Sequence, residues 1–111
     1  MEHRIHPSAR RRLVEIWNYT EETWGTEQAD RYIEGLFAEL DLIAQNRRRW
    51  RSVKQEGFEG VYFAKYQHHF IFFRDLGSEL GVVTVLHKSM DLPNRLREDA
   101  EESGEGGVNA G

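Results

Sequence analysis

The sequence contains no cysteine, and it has no apolar run as long as the roughly 18 residues that a membrane-spanning helix requires. Without cysteine the chain has no disulfides and no zinc sites built on thiolates. The opening residues, MEHR, lead directly into a strand-like segment and lack the apolar core of a signal peptide. We therefore expect a cytoplasmic protein that does not enter a membrane.

The chain also lacks the strong positive charge of a general nucleic-acid binder, because its net charge at pH 7 is −4. Five of its 19 acidic residues lie in residues 98–111, which contain no lysine or arginine, and this leaves 14 acidic against 15 basic residues in the rest of the chain. Residues 98–111 are rich in glycine and poor in large apolar side chains, so they have little surface to bury. The composition predicts one domain, residues 1–97, followed by a disordered acidic tail.

The apolar spacing predicts a short strand at residues 2–6 and a first helix at residues 9–24. Ser8 stands where a helix N-cap is expected, and Gly25 is expected to end the helix. The helical stripe consists of Leu13, Ile16, Trp17, Thr20 and Trp24. Its spacing is that of an amphipathic helix with one buried face.

A second helix is predicted from Thr26, as its cap, to Asn46. Its apolar positions are Ala29, Tyr32, Ile33, Leu36, Phe37, Leu40, Ile43 and Ala44. They recur at intervals of three and four residues, which is helical periodicity. Since the link at Gly25 and Thr26 is so short, we expect the two helices to form an antiparallel hairpin.

The second half of the chain changes to β-rich segments at residues 60–66, 69–75 and 79–88, separated by short turns. This pattern predicts a three-stranded antiparallel meander. The segment 69–75 is apolar on both faces, so it is placed in the middle. The predicted fold is α+β, with an N-terminal strand, a helical hairpin and then three strands (β-α-α-β-β-β).

The last strand ends in His87 and Lys88, which suggests two alternative functions. If the sheet is curved, Lys65, Arg74 and His87 converge, and they would supply the cations and the acid or base that RNA cleavage needs. Alternatively, the polar end of this strand contacts a protein. His87 is expected to share a face of the sheet with Val83 and Val85.

The five histidines do not form a metal-binding pattern. His68 and His69 are neighbours on a strand, so they are expected to point to opposite faces of the sheet. No pair of histidines has the helical spacing of a zinc site. The sequence therefore predicts no metal and no cofactor.

The run NRRRWR at residues 46–51 permits two interpretations. Its cations lie at the end of the second helix, where positive charge stabilises the helix dipole. They are also suited to contact phosphate or an acidic partner.

Large aromatic side chains are numerous for a domain of this size. They include Trp17, Trp24, Tyr32, Phe37 and Phe58. Aromatic residues dominate protein cores, but they also mark interfaces when they remain exposed. The two alternatives are a filled core and an exposed apolar groove for a partner.

Four motifs, in order, resemble the RelE/ParE toxin superfamily, and ParE-like toxins in particular. They are PSARRRLVEIWNYTEETWG at 7–25, ADRYIEGL at 29–36, HFIFFR at 69–74 and VLHKSMDLPNRL at 85–96. The resemblance covers about residues 3–96. Arg12 stands where an acidic residue is common in the family, and Phe73 replaces a tyrosine.

The resemblance implies a bacterial toxin that a ParD-like antitoxin holds inactive. ParE-like toxins are associated with poisoning DNA gyrase, whereas RelE-like relatives cut messenger RNA on the ribosome. The tyrosine or histidine that RelE-like enzymes commonly carry near the C-terminus is matched here only by His87, because Met90 and Asp91 follow. The missing tyrosine favours gyrase as the target. The toxin would then have no catalytic residues, and operator DNA would be bound only through the antitoxin. A ribonuclease and a non-toxic remnant that still binds antitoxin are the alternatives.

The resemblance also predicts which residues make the contacts. The residues expected to face the target are Arg74, His87, Lys88, Arg95 and Arg97. Those expected to face the antitoxin are Trp17, Trp24, Tyr32, Phe37 and Phe58. If the protein is a ribonuclease, the expected catalytic residues are Lys65, Arg74 and His87.

Overall fold

The computed structural model describes residues 2–102, which form three α-helices and a five-stranded sheet. In chain order the elements are β1 (Glu2–Ile5), α1 (Pro7–Trp24), α2 (Thr26–Ala44), a 3₁₀ turn (Arg47–Arg49), β2 (Arg51–Ser52), β3 (Val61–Tyr66), β4 (His69–Asp75), β5 (Glu79–His87) and α3 (Leu92–Glu102). The strand order is β1-β5-β4-β3-β2, with β1 parallel to β5 and the other pairs antiparallel. The predicted α+β fold is confirmed, with β4 in the middle of the meander. The sequence did not predict β2 or α3.

The ends of the first two helices differ from the prediction. The α1 helix begins at Pro7, a position that suits proline because the first N–H of a helix has no partner. Ser8 is not a cap: it is buried, and its Oγ donates a hydrogen bond to the Val83 carbonyl. Gly25 ends α1 as predicted, with a φ of 96°, but Thr26 is already the first residue of α2 and makes no capping hydrogen bond.

One face of the sheet, called the hairpin face, is covered by α1 and α2. Its buried core consists of Ala9, Leu36, Leu40, Ile43, Ala64, Ile71, Phe73, Leu80, Val82 and Val85. Trp50 extends this core, because its ring lies 5.2 Å from that of Phe73 and its Nε1 donates to the Ile43 carbonyl. These contacts provide the tertiary packing that a short helical hairpin needs in order to be stable.

The opposite face, called the α3 face, carries a second and smaller core. Its buried residues are Phe58, Val61, Phe72, Val83, Leu86 and Leu96. A β-bulge at Val83 interrupts the alternation of side chains along β5. Phe72 lies opposite Thr84 and Phe73 lies opposite Val82, so Val83 has no partner in the register. As a result Val83 belongs to the α3 face, whereas Val85 belongs to the hairpin face. The prediction that Val83 and Val85 share a face was therefore wrong.

A buried carboxylate attaches α3 to the rest of the protein. Asp99 is 1% exposed and accepts hydrogen bonds from Thr84 Oγ1 at 2.7 Å, Arg12 Nε at 2.8 Å and Arg11 Nη2 at 3.2 Å. Burial by itself raises the pKa of Asp99, but the hydrogen bonds from Arg12 and Thr84 and the arginine charges outweigh it and lower that pKa. The carboxylate is thus held in its charged form.

The predicted boundary between residues 97 and 98 falls inside α3. Residues 98–102 continue the helix, so the prediction of a disordered tail is wrong for them. Composition alone did not reveal that Asp99 finds its arginine partners on α1. The rest of the predicted tail, residues 103–111, lies outside the described residues.

Candidate functional site

An open pocket of about 500 Å³ lies where the closed end of the helical hairpin meets the ends of β4 and β5. It is lined by Glu15, Ile16, Tyr19, Thr20, Trp24, Gln28, Tyr32, Gln67, His68, His69, His87 and Ser89. We call it the histidine pocket. Of these lining residues Glu15 is the one carboxylic acid and none is a lysine or arginine, so the pocket is mainly aromatic and polar.

The strand register brings the three histidines together. His69 on β4 lies directly opposite His87 on β5, and their ring centroids are 5.1 Å apart. The imidazole of His68, in the β3–β4 turn, stacks on that of His87 at 6.2 Å. The backbone N–H of Lys88 donates to the His68 carbonyl at 2.9 Å and ties this turn to the end of β5.

His69 is held in its neutral form. Burial lowers the pKa of His69 to about 4, and the neighbouring charges of His87 and His68 act in the same direction. The Tyr32 hydroxyl lies 2.7 Å from His69 Nδ1, and burial raises the pKa of that tyrosine. Near pH 7 the two side chains therefore form a neutral hydrogen-bonded pair.

His87 is oriented by the turn that follows β5. The backbone N–H of Ser89 donates to His87 Nδ1 at 3.1 Å, and Ser89 Oγ lies 2.8 Å from the same nitrogen. Because a backbone N–H only donates, Nδ1 is an acceptor and the neutral ring carries its proton on Nε2. That Nε2–H is the hydrogen-bond donor which His87 retains for a partner.

Two aromatic residues at the rim remain largely exposed. Trp24 is 71% exposed and Tyr19 is 69% exposed. Such neighbouring aromatic surface is typical of protein interfaces. The sequence interpretation placed Trp24 both on the buried stripe and among the expected antitoxin contacts, and its exposure contradicts the first of these. It did not single out Tyr19.

The five predicted antitoxin-contact residues do not form one surface. Trp24 and Tyr32 line the histidine pocket. Trp17 donates from Nε1 to an Asp30 carboxylate oxygen across the hairpin, and Phe37 packs against the hairpin-face core. Phe58 is only 6% exposed and belongs to the core of the opposite face, so its assignment to an exposed groove was wrong.

The three residues proposed for RNA cleavage do not converge. Arg74 lies opposite Val61, at the end of β4 that is remote from His69, and five residues of strand correspond to about 17 Å. Lys65 lies opposite Phe70, on the α3 face, whereas His87 is on the hairpin face. Among the described residues no lysine or arginine lines the histidine pocket, so the pocket lacks a permanently charged cation for a developing phosphorane charge.

The predicted target-contact residues are likewise divided. Lys88 is exposed in the turn before α3, and Arg95 and Arg97 are exposed on α3 itself, near their own helix partners Glu98 and Asn94. His87 belongs to the pocket. Arg74 lies apart from all of these and donates a hydrogen bond to the Glu59 carbonyl at 3.3 Å.

Among residues 2–102 there is no cluster of three histidine or carboxylate side chains that could hold a metal ion. No helix in this same range is long and apolar enough to cross a bilayer.

Comparison with known sequences identifies the family. The family model of the ParE toxin of the type II toxin–antitoxin system parDE matches residues 4–92. Toxin ParE1 of Mycobacterium tuberculosis is 34% identical over 93 residues, which cover 83% of this chain and 94% of the relative. Toxin ParE1 of Caulobacter vibrioides is 31% identical over 95 residues (85% and 96%), and toxin ParE of Escherichia coli is 33% identical over 82 residues (73% and 79%).

Solved structures show the same fold. The chromosomal ParDE system of P. aeruginosa aligns with a TM-score of 0.64 at 17% identity, covering 78% of this chain and 95% of the solved chain. The RelBE2 toxin–antitoxin complex of Mycobacterium tuberculosis aligns with a TM-score of 0.51 at 18% identity, covering 77% and 94%. Because the family model extends over most of the chain and the curated relatives match at 31–34% identity, the protein belongs to the ParE toxin family of type II toxin–antitoxin systems.

Proposed function

We propose that this toxin inhibits bacterial DNA gyrase by protein–protein contact, and that a ParD-like antitoxin neutralises it by occupying the histidine pocket. The observation that carries the proposal is the composition of that pocket. It combines exposed aromatic side chains with three imidazoles, and its described lining contains no lysine or arginine. Such a surface suits the binding of a protein segment and lacks the permanent cations that stabilise a phosphoryl-transfer transition state.

The pocket defines the kind of antitoxin segment that would fit. Trp24 and Tyr19 offer a broad apolar rim, so the segment should bring an aliphatic or aromatic anchor. Next to the anchor, the His87 Nε2–H would donate to a carbonyl or carboxylate of the segment. Any operator DNA would then be bound through the antitoxin, in line with the absence of an excess of positive charge in this chain.

The proposed target surface begins next to the pocket, at Lys88, which lies between the lining residues His87 and Ser89. It consists of Lys88 in the turn after β5 together with Arg95 and Arg97, two exposed residues that flank the buried Leu96 on α3. Exposed cations of this kind chiefly accelerate and orient association with an acidic partner. Arg74 lies opposite Gly81, at the end of β5 remote from Lys88, so we propose no target contact for that residue.

Expression in bacteria tests the proposal. Induction without antitoxin should arrest growth, and plasmid isolated from the arrested cells should be relaxed or linear while transcripts remain intact. The double variant Lys88→Ala/Arg95→Ala should relieve the arrest and still bind antitoxin. The matched control is Arg10→Ala/Arg31→Ala, which removes two exposed cations on α1 and α2 and should remain toxic.

Each alternative gives a different result. Cut transcripts together with normally supercoiled plasmid would show that the toxin is a ribonuclease and does not act on gyrase. Unimpaired growth with the unaltered chain, at a verified level of protein, would indicate a remnant that only binds antitoxin. Full toxicity of Lys88→Ala/Arg95→Ala would reject the target surface.

A further inference from the structure

The α3 face of the sheet is only partly covered. The short α3 helix lies over one side of it, and beside the sheet edge formed by β2 there remains an open depression of about 760 Å³. It is lined by Arg48, Arg49, Arg51, Phe63, Ala64, Lys65 and Phe70. We call this surface the basic strip.

The sheet register explains why cations and aromatic rings alternate there. Arg51 on β2 lies opposite Phe63 on β3, and Lys65 lies opposite Phe70 on β4. Partners in an antiparallel register share a face, and residues two apart on a strand also share a face. The four side chains therefore project from the same side of the sheet.

Most of the cations in this strip have no acidic partner. Within residues 2–102, Arg48, Arg51 and Lys65 form no ion pair, whereas Arg49 is paired with Glu39. In that same part of the chain no acidic side chain lines the depression. The positive charge of the strip is therefore available to an anionic ligand, although the chain as a whole is acidic.

The aromatic rings give the strip a second property. Phe63 and Phe70 are half-buried, and their ring centroids lie 5.9 Å apart in an edge-to-face arrangement. The same two rings also line an apolar cleft of about 270 Å³ that continues toward Leu92 and Leu96 of α3. A ligand in the strip thus meets phosphate-binding cations and stacking surface side by side.

From this combination we infer that the basic strip binds single-stranded nucleic acid. Its phosphates would contact Arg48, Arg51 and Lys65, and its bases would stack on Phe63 and Phe70. In duplex DNA the bases are stacked on one another and cannot stack on these rings. An acidic peptide would use the cations of the strip but not the rings. The described lining of the strip contains no histidine, carboxylate or tyrosine, and the proposal is that it binds the strand without cutting it. This inference does not depend on the proposed gyrase target.

The test is fluorescence anisotropy of the purified full chain with a labelled 12-residue oligo-dT. The logarithm of the binding constant should fall linearly with the logarithm of salt concentration, with a slope of about −2 for three phosphate contacts on a single strand. The double variant Arg51→Gln/Lys65→Gln should weaken binding by about tenfold or more and bring the slope close to about −0.7. The variant Phe63→Leu/Phe70→Leu should weaken binding by about tenfold with the slope unchanged.

Two controls make the result decisive. The variant Arg10→Gln removes an exposed arginine of α1 and should leave both affinity and slope unchanged. Circular dichroism should show that every variant retains the native fold. The inference is overturned if oligo-dT does not bind at low salt, if binding is indifferent to Phe63→Leu/Phe70→Leu, if poly-glutamate competes as well as unlabelled oligo-dT, or if the oligonucleotide is cleaved.

Discussion

The two faces belong to the same five-stranded sheet but have opposite properties. The hairpin face is covered by two long helices, and its accessible part is a pocket of aromatic and imidazole side chains. The α3 face is covered by a single 11-residue helix, and its accessible part is a strip of cations and phenylalanines. The first surface is suited to a protein segment with an apolar anchor, and the second to a polyanion.

The difference shows how alternation along a strand separates two binding chemistries in a small protein. In β4, His69 projects to the hairpin face while its neighbour Phe70 projects to the α3 face. The two faces are also held in different ways. The hairpin is fixed by a wide apolar core, whereas α3 depends in addition on the polar cluster around Asp99.

The largest expected effect on stability comes from removing the polar cluster around Asp99. Asp99→Ala removes the buried acceptor of Arg12 and Thr84, and we expect the free energy of unfolding to fall by about 3 kcal/mol, measured by urea denaturation. Amide hydrogen exchange should accelerate first in α3 and later in α1 and α2. If it accelerates equally in all three helices, the two faces are not held independently.

The next effect concerns the rim of the histidine pocket. Tyr19→Ala/Trp24→Ala should weaken antitoxin binding by about 2 kcal/mol, or roughly thirtyfold in Kd, because exposed aromatic anchors dominate such interfaces. Isothermal titration calorimetry measures the change. The matched control is Val14→Ala/Leu42→Ala, which removes apolar side chains that are exposed but lie outside the pocket. Equal losses in both double variants would contradict a role specific to the pocket.

A smaller effect is the pH dependence of the free energy of unfolding, which should differ between His69 on the hairpin face and Asp99 on α3. Because the pKa of His69 is lowered to about 4, the folded protein favours the neutral ring, while the unfolded chain binds the proton below pH 6.5. The stability from His69 is complete above pH 6.5 and is lost as the pH falls toward 4, by about 1–2 kcal/mol between pH 7 and 5. Urea denaturation of His69→Gln should show a smaller loss over this range.

Asp99 should respond in a lower pH range. Its pKa is below the ordinary value of 3.8, so its contribution is complete above that value and is lost only as the pH falls through the lower folded-state pKa. Asp99→Asn should therefore flatten the stability profile below about pH 4 and leave the slope between about pH 7 and 5 intact. A change in the higher range instead would contradict this assignment.

The smallest expected effect is that of Thr84→Val. The variant removes one of the hydrogen bonds to Asp99 and keeps the side-chain volume, while the arginines continue to hold the carboxylate. We expect a loss of about 1 kcal/mol in the free energy of unfolding. A loss as large as that of Asp99→Ala would mean that Thr84, and not the arginines, holds α3 in place.

Much of the fold followed from the sequence because the main elements are strongly periodic. The apolar spacing of Leu36 and Leu40 placed α2, and Gly25 placed the turn of the hairpin. The α3 helix was missed because its stabilising partners lie on α1: Asp99 resembles any other tail acid until Arg11 and Arg12 are brought next to it. Long-range ion pairs of this kind leave no local pattern.

The site was only partly predictable for the same reason. The sequence analysis singled out His87 but predicted that His68 and His69 point to opposite faces of the sheet. In the structure His68 lies in a turn, and its side chain reaches the same pocket as His69 and His87. The expected convergence of Arg74 with His87 failed because the register places them at opposite ends of the sheet. Alternation predicts the face of a residue but not its position along the paired strands.

The most direct test of the proposed function is the activity of purified bacterial gyrase on relaxed plasmid and ATP in the presence of this protein. We predict inhibited supercoiling or accumulation of linear plasmid, relief of both by antitoxin, and loss of the effect in Lys88→Ala/Arg95→Ala. Normal supercoiling at a large molar excess of the folded toxin would contradict the proposal that it acts on gyrase.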